Sequence, residues 1–271
     1  MKNIIIFFFV LLFSITSFGK IRAPFARPMG FALEILKGNV RGHSLRTITG
    51  SNPAVGTTTE TVWAEGGVVV FPSATTTMTV SSLDVDDTSA GTGLKTIKIT
   101  GLSSGVELTE TITLNGQTAV TTANTYERIN SLEGVTAGST GANEGIVYIG
   151  TGTVTAGKPA VVVNLVNVGK NLSDSGFFTV PLNHTGYLFQ LFASSEGNKV
   201  INLEVFSRKL GGLFLLNAEY NLFNAALLIS AIAPPQTIEA RGDIEFRSQV
   251  GAGSADIKIN FVLLLVDESV L

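Results

Sequence analysis

The feature that most constrains this chain is the stretch from Asp86 to Gly152, where short runs of alternating apolar and small polar residues are separated by Gly, Asn and Ser. In Leu94–Thr100 the apolar side chains are Leu94, Ile97 and Ile99, with Lys and Thr between them. In Val106–Leu114 they are Val106, Leu108, Ile112 and Leu114, with Thr and Glu between. Successive side chains on a strand point to opposite faces, so each run predicts a strand with one buried and one wet face. The glycine-bounded joint Gly101–Gly105 predicts a hairpin, and Asn115-Gly116 offers a second two-residue turn. The stretch reads as an antiparallel β-meander.

The same texture extends outward. Thr57–Ala64, Gly67–Pro72, Thr75–Leu83, Tyr126–Leu132, Ile146–Ile149 and Ala160–Val168 read as strands, with Gly50–Pro53 a turn cluster and Thr151–Pro159 a loose joint. Trp63, the one tryptophan, is expected to be a packing residue. Lys170–Gly176 (KNLSDSG) is polar and glycine-closed, which marks a boundary. Beyond it the strands Phe177–Leu182, Tyr187–Ala193, Lys199–Ser207, Gly212–Tyr220, Gln236–Ala240 and Ala255–Val266 carry larger side chains. Phe261–Val266 has no polar alternation and should be buried on both faces. Asn221–Ala233 reads as a short helix or a strand, the strand favoured by its strand neighbours, and Pro234-Pro235 ends it either way. The expectation is an all-β chain, an antiparallel β-sandwich or jelly-roll-like fold in two units. Their predicted bounds are 29–169 and 170–271.

Residues 1–28 stand apart. Met1–Gly19 has a Lys2 n-region, an apolar run from Ile4 to Phe13 and small residues at Ser17-Phe18-Gly19, the pattern of a signal peptide. Met29 offers an alternative start, and Ile21–Pro28 has no period-two pattern. The folded module is expected not to need this segment.

Composition narrows the function. Charged residues make up 14% of the 271, against about 25% in an ordinary domain. Thr, Ser and Asn therefore cover the wet faces, a surface suited to packing against further copies, and a homo-oligomer is expected. A net charge of −3 leaves no basic footprint for nucleic acid. Without cysteine there is no disulfide framework and no thiolate metal site.

The groups that carry chemistry are few. His43 and His184 both lie in loop-like sequence and read as solvent-facing turn residues. Asp84, Asp86 and Asp87, in SSLDVDDTSAGTG, have the spacing of oxygen ligands for a hard cation but lack the bidentate Glu of an EF-hand loop. They read as a solvated turn, not a required cation site. Glu107 and Glu110 are three apart and cannot share a strand face, and nothing favours convergence of Glu127 with Glu144. Gly91–Gly93 and Gly138–Gly145 lack the Lys and helix of a phosphate loop. Arg241-Gly242-Asp243 matches an integrin-recognition tripeptide, but it fits a kink between Ile238–Ala240 and Ile244–Phe246. The sequence thus assigns no catalytic, cofactor-binding or metal residue, no cofactor and no enzymatic activity.

An ordered set of motifs gives a resemblance. It comprises DDTSAGTG (Asp86–Gly93), LNGQTAVTTANTYERIN (Leu114–Asn130), AGSTGANEG (Ala137–Gly145), VPLNHTGYL (Val180–Leu188), RKLGG (Arg208–Gly212) and LLVD (Leu264–Asp267). Their order and spacing, over roughly Val62 to Asp267, resemble virion structural proteins of tailed bacteriophages of aquatic environments. The resemblance implies a non-enzymatic component of the particle, on the head surface or in a fibre or tail position. Its implied partners are its own copies and other virion proteins, without nucleic acid or membrane. A secretory signal does not belong on a protein assembled in the host cytoplasm, so Met1–Gly19 favours a different class, a secreted bacterial surface or adhesin module. A secreted β-sandwich glycosidase or lectin would need a carboxylate or aromatic cluster that the sequence does not offer.

Overall fold

The computed structural model describes residues 26–196, 198–223 and 227–271. The signal-like stretch Met1–Gly19 lies outside the described residues. Helix α1 (Ala26–Leu36) comes first, where no helix was expected, and it encloses Met29. It ends on Gly38, whose φ of 75° suits glycine and whose amide donates to the Ile35 carbonyl. The chain divides at Arg41, and the described residues before it form a unit separate from Arg41–Leu271.

Within 41–271 the chain is all-β and antiparallel. Its first part gives β1 (His43–Val55), β2 (Glu60–Thr61), β3 (Thr79–Ser82), β4 (Leu94–Ser103), β5 (Val106–Thr113) and β6 (Val120–Thr121). The middle gives β7 (Arg128–Ala137), β8 (Val147–Thr155), β9 (Lys158–Val166), β10 (Phe177–Thr179) and β11 (His184–Glu196). The last part gives β12 (Val200–Arg208), β13 (Leu215–Phe223), β14 (Leu227–Ile238), β15 (Asp243–Val250) and β16 (Ala255–Asp267).

Four sheets pack as two sandwiches. Sheet β5-β4-β7 faces sheet β6-β3-β8-β9 over a core of Ile97, Ile99, Leu132, Val80, Ile149 and Val163, among others. Sheet β1-β16-β11-β14 faces sheet β10-β15-β12-β13 over Leu191, Phe261, Leu263, Val205 and Phe246, with the Phe246 and Phe261 rings 4.4 Å apart. The period-two pattern therefore specified the layers. It did not specify which strands share a sheet. β1 pairs along its length with β16, and β2 pairs with β15. The unit expected at 29–169 thus gives its first two strands to the sheets built mainly by 177–267.

Several local readings change. The β4–β5 hairpin forms as expected, turning on Ser104 and Gly105 with φ of 50° and 85°. Asn115-Gly116 makes no hairpin; the chain crosses there to the facing sheet, where β6 pairs with β3. Asp87 fixes the crossing by accepting the Gly116 amide on its carbonyl. Thr151–Pro159 is no loose joint but the β8–β9 hairpin, turning on Ala156 and Gly157. Gly67–Pro72 forms no strand, and the Thr57–Ala64 strand shrinks to β2. The Gly50–Pro53 cluster lies inside β1, and Pro234-Pro235 lies inside the strand it was expected to end. Both proline sites fall where the ladder register shifts, on strands at sheet edges. A missing N–H costs nothing there. Phe261–Val266 is central in its sheet, but Val262 and Leu264 are half-buried, so one face stays partly open.

The two sandwiches are joined by buried contacts. Trp63 and Phe177 from one side meet Tyr148, Val162 and Leu165 from the other. Trp63 is buried as expected, and its indole N–H lies 3.1 Å from the carbonyls of Gly66 and Gly67. Asn130 on β7 acts as a strand extension: its amide nitrogen donates to the Thr179 carbonyl and its oxygen accepts the Thr179 amide, both at 2.9 Å. The charged centre of the joint is Asp243, fully buried at the start of β15. Its carboxylate accepts from Arg128 Nε (2.9 Å) and the second guanidinium nitrogen (3.1 Å), from Arg208 Nε (2.6 Å) and from the Thr179 hydroxyl (2.5 Å). Both guanidinium groups stack on Phe71, at 4.6 and 5.2 Å.

Two expectations follow. Asp243→Ala leaves a buried Arg128 without its anion and should cost about 3–5 kcal/mol in chemical denaturation; a loss below about 1 kcal/mol would show that the pair does not hold the joint. A fragment spanning Arg41–Leu271 should unfold in one cooperative transition, since the cores above lie within it. Failure of that fragment to fold, with the longer chain folding normally, would place essential contacts before Arg41.

Candidate functional site

The histidines occupy one end of the β1-β16-β11 ladder. His43 opens β1 opposite Val266, and His184 opens β11 opposite Asp267. Each Nδ1 lies close to a backbone carbonyl two residues earlier, Arg41 at 2.9 Å and Leu182 at 3.0 Å. The carboxylates considered in pairs lie in separate settings. Glu107 meets Arg46 and Glu127 meets Arg241, each at 3.1 Å. Glu110 accepts from the backbone amides of Ala123 and Asn124 and from the Tyr126 hydroxyl. Burial, with the Glu110 charge adding, pushes that hydroxyl up to about 12. These carboxylates are spent on turns and ion pairs.

The acidic loop divides into two. Asp87 is fully buried and acts as a clip, not as a solvated residue. It accepts from the Ser82 hydroxyl (2.6 Å) and from the amides of Leu94 (2.7 Å), Glu144 (2.9 Å) and Gly145 (2.9 Å). The clip ties the Asp86–Gly93 loop to the Ala137–Gly145 loop across the sandwich end. Asp84 and Asp86 stay toward solvent, and the clip brings Glu144 to them, so that carboxylate oxygens of all three lie within 4.8 Å of one another. Sequence spacing could not show the third member, 58 positions downstream. Three carboxylates could ligate a hard cation such as calcium. Their present partners are local: Asp84 accepts the Asp86 amide (2.9 Å) and Glu144 accepts the Thr92 hydroxyl (2.5 Å).

The Arg241-Gly242-Asp243 tripeptide sits at the expected kink, with Arg241 at a φ of 60°. Recognition by a receptor would need the Asp carboxylate exposed, and Asp243 is buried in the joint just described. Ile244, Glu245 and Phe246 are buried as well. The tripeptide is a structural element.

Between the sandwiches, β1, β4, β5 and β7 line a cleft of about 360 Å³. The Arg46–Glu107 pair stands in it, as does a Lys98–Glu133 pair, so its charges are internally balanced. A run of exposed apolar side chains lies elsewhere. Leu213, Leu215, Leu216, Phe223, Leu227 and Ile229 are at least half exposed along β13, β14 and the turn before them.

No family model matches the chain, and no curated protein matches it. Among solved structures, the chain is similar at 12% identity to a structure of the Gx strain of infectious bursal disease virus. The match covers 84% of this chain and 73% of that one, with a TM-score of 0.24. Similar values hold for the VP2 subviral particle of that virus, at 12% identity, the same coverages and a TM-score of 0.22. A likeness this slight carries no argument about what the chain does.

Removing Asp87 orphans the buried amides of Leu94 and Gly145 at about 1–3 kcal/mol each, so Asp87→Ala should destabilise by at least about 2 kcal/mol. Asp86→Ala should be nearly silent, and chelator should leave the melting temperature unchanged. A chelator-induced fall of many degrees, absent in Asp86→Ala, would make the Asp84–Asp86–Glu144 cluster a required cation site.

Proposed function

We propose that this chain is a non-enzymatic structural component of a virus particle, a head decoration or a fibre or tail element of a tailed phage, present in many copies. The observation that carries the reading is where the motifs of the resemblance fall. DDTSAGTG and AGSTGANEG are the two loops joined by Asp87. LNGQTAVTTANTYERIN carries the crossover between sheets and delivers Arg128 and Asn130 to the joint. RKLGG opens on Arg208, the second cation on Asp243. VPLNHTGYL links β10 to β11, and LLVD ends β16 beside them. The residues that carry the resemblance are thus those that hold the scaffold together, as a role in architecture requires. Apart from the Asp84–Asp86–Glu144 cluster, the acidic and basic groups described above are engaged in ion pairs and hydrogen bonds, and two histidines with no cysteine leave few groups for proton transfer or nucleophilic attack near neutral pH.

Mass spectrometry of purified particles should find the chain in many copies per virion. Recovery from the outer membrane or culture fluid of uninfected cells, with none in particles, would replace this reading with the surface or adhesin module that Met1–Gly19 suggests.

A further inference from the structure

The two flanks of the β10–β16 sandwich are treated differently by the chain. On one flank the edge strands β1 and β10 are covered. Asn130 pairs with both backbone groups of Thr179, the Ser51 amide donates to the Asp174 carbonyl, and the Thr49 hydroxyl reaches the Ser173 carbonyl. On the other flank β13 and β14 end their sheets, and no described strand lies beyond them. Uncovered edges are normally blunted by charge, proline or a bulge, because their free N–H and C=O groups invite another strand. β14 has such a device in its second half, where Pro234-Pro235 sits in the register break opposite β11. β13 has no proline and no lysine; its one such device is a bulge at Asn217, between the partners of Val205 and Phe206, and Glu219 is the one charged residue in β13 and β14 together. That carboxylate is already engaged by the Asn202 amide.

The exposed apolar side chains gather on this same flank. Leu213, Leu215, Leu216, Phe223, Leu227 and Ile229 are 50–84% exposed. Their combined exposure equals about four free side chains, on the order of 600–800 Å² at about 150–200 Å² for each. A monomer's largest apolar patch is about 300–600 Å², and a stable interface buries about 800 Å² per partner. The flank is large enough for one.

We propose that the β13 edge, with the first half of β14, is the surface on which a second copy of this chain docks, strand β13 against strand β13. The occupant follows from the charge. A partner of different sequence is ordinarily selected and oriented by complementary charges at the contact. This strip presents none beyond the engaged Glu219. On a chain of net charge −3, a strip whose one charge is Glu219 is where two identical copies meet with least repulsion, in a register that keeps the two Glu219 carboxylates apart. Antiparallel pairing of one strand with itself is closed by a two-fold axis, so the contact stops at two copies and does not run on into a fibre. The surface belongs to the self-assembling reading above, yet its test is independent of particles.

Light scattering on the purified chain at about 1–100 µM should give twice the monomer mass. Leu216→Lys with Phe223→Lys should weaken association by a factor of about 100 or more, while circular dichroism shows the fold unchanged. Val135→Lys, at an exposed position on β7, should leave the mass at two copies. Amide exchange should slow along Leu215–Phe223 as concentration rises. A monomer at 100 µM overturns the proposal, as does a dimer that survives the double substitution. Protection of β13 that appears only when other particle proteins are added to a monomeric chain also overturns it, in favour of a foreign partner. The virion reading is decided by the particle inventory, so the two can fail separately.

Discussion

The structure depends on one buried carboxylate. Asp243 sits where β15 begins, without contact with water, and two arginines from opposite sides of the joint converge on it. Taking such ions out of water costs several kcal/mol each, and only good geometry repays it. Here Arg128 binds in a fork, Thr179 donates its hydroxyl, and Phe71 provides an aromatic face for both guanidinium groups. Arg128 also donates to the carbonyls of Pro72 and Glu127. The cluster therefore fixes four separate pieces of chain at once: β7, β10, the end of β12 and the segment before β3. Apolar packing of the same volume could stabilise the joint, but it would not select one orientation of the sandwiches as a directional fork does.

The same economy recurs through the molecule. Charged and amide side chains, scarce in the sequence, are placed where backbone groups would otherwise be orphaned. Asp87 satisfies three amides, Glu110 two and Asn130 both groups of Thr179. Thr and Ser can cover the wet faces because these few residues do the tying. Close packing of backbone completes the arrangement: Gly50 and Gly176 approach so nearly that a Cβ on Gly50 would lie 2.7 Å from Gly176. What remains is a body with most of its charged groups internally engaged, and with the Asp84–Asp86–Glu144 cluster and one flank open.

The sequence by itself determined the class of structure and the local layering. Period-two alternation names the inward residues Ile97, Ile99, Met78 and Val80, all fully buried, because a strand's faces are set by its own backbone, whereas Leu94 joins them only through the register shifts before Ile97. Ser104-Gly105 announces its hairpin for the same reason, since turn geometry is a property of two residues. The low charge and the motif order were also legible, and the functional proposal rests largely on them. Tertiary structure alone decided partnership. Nothing in His43–Val55 says that it pairs with a strand more than 200 positions later, because ladder hydrogen bonds are made by the backbone, which is the same for every residue. The prolines that looked like strand ends lie within strands, since an edge position removes the cost of a missing N–H. Asp87 and Asp243 looked like turn residues and became the buried anchors, while Glu144 joined the acidic cluster from a distant loop. Burial of a carboxylate is decided by donors that arrive from elsewhere in the chain, and those are set only when the sheets close.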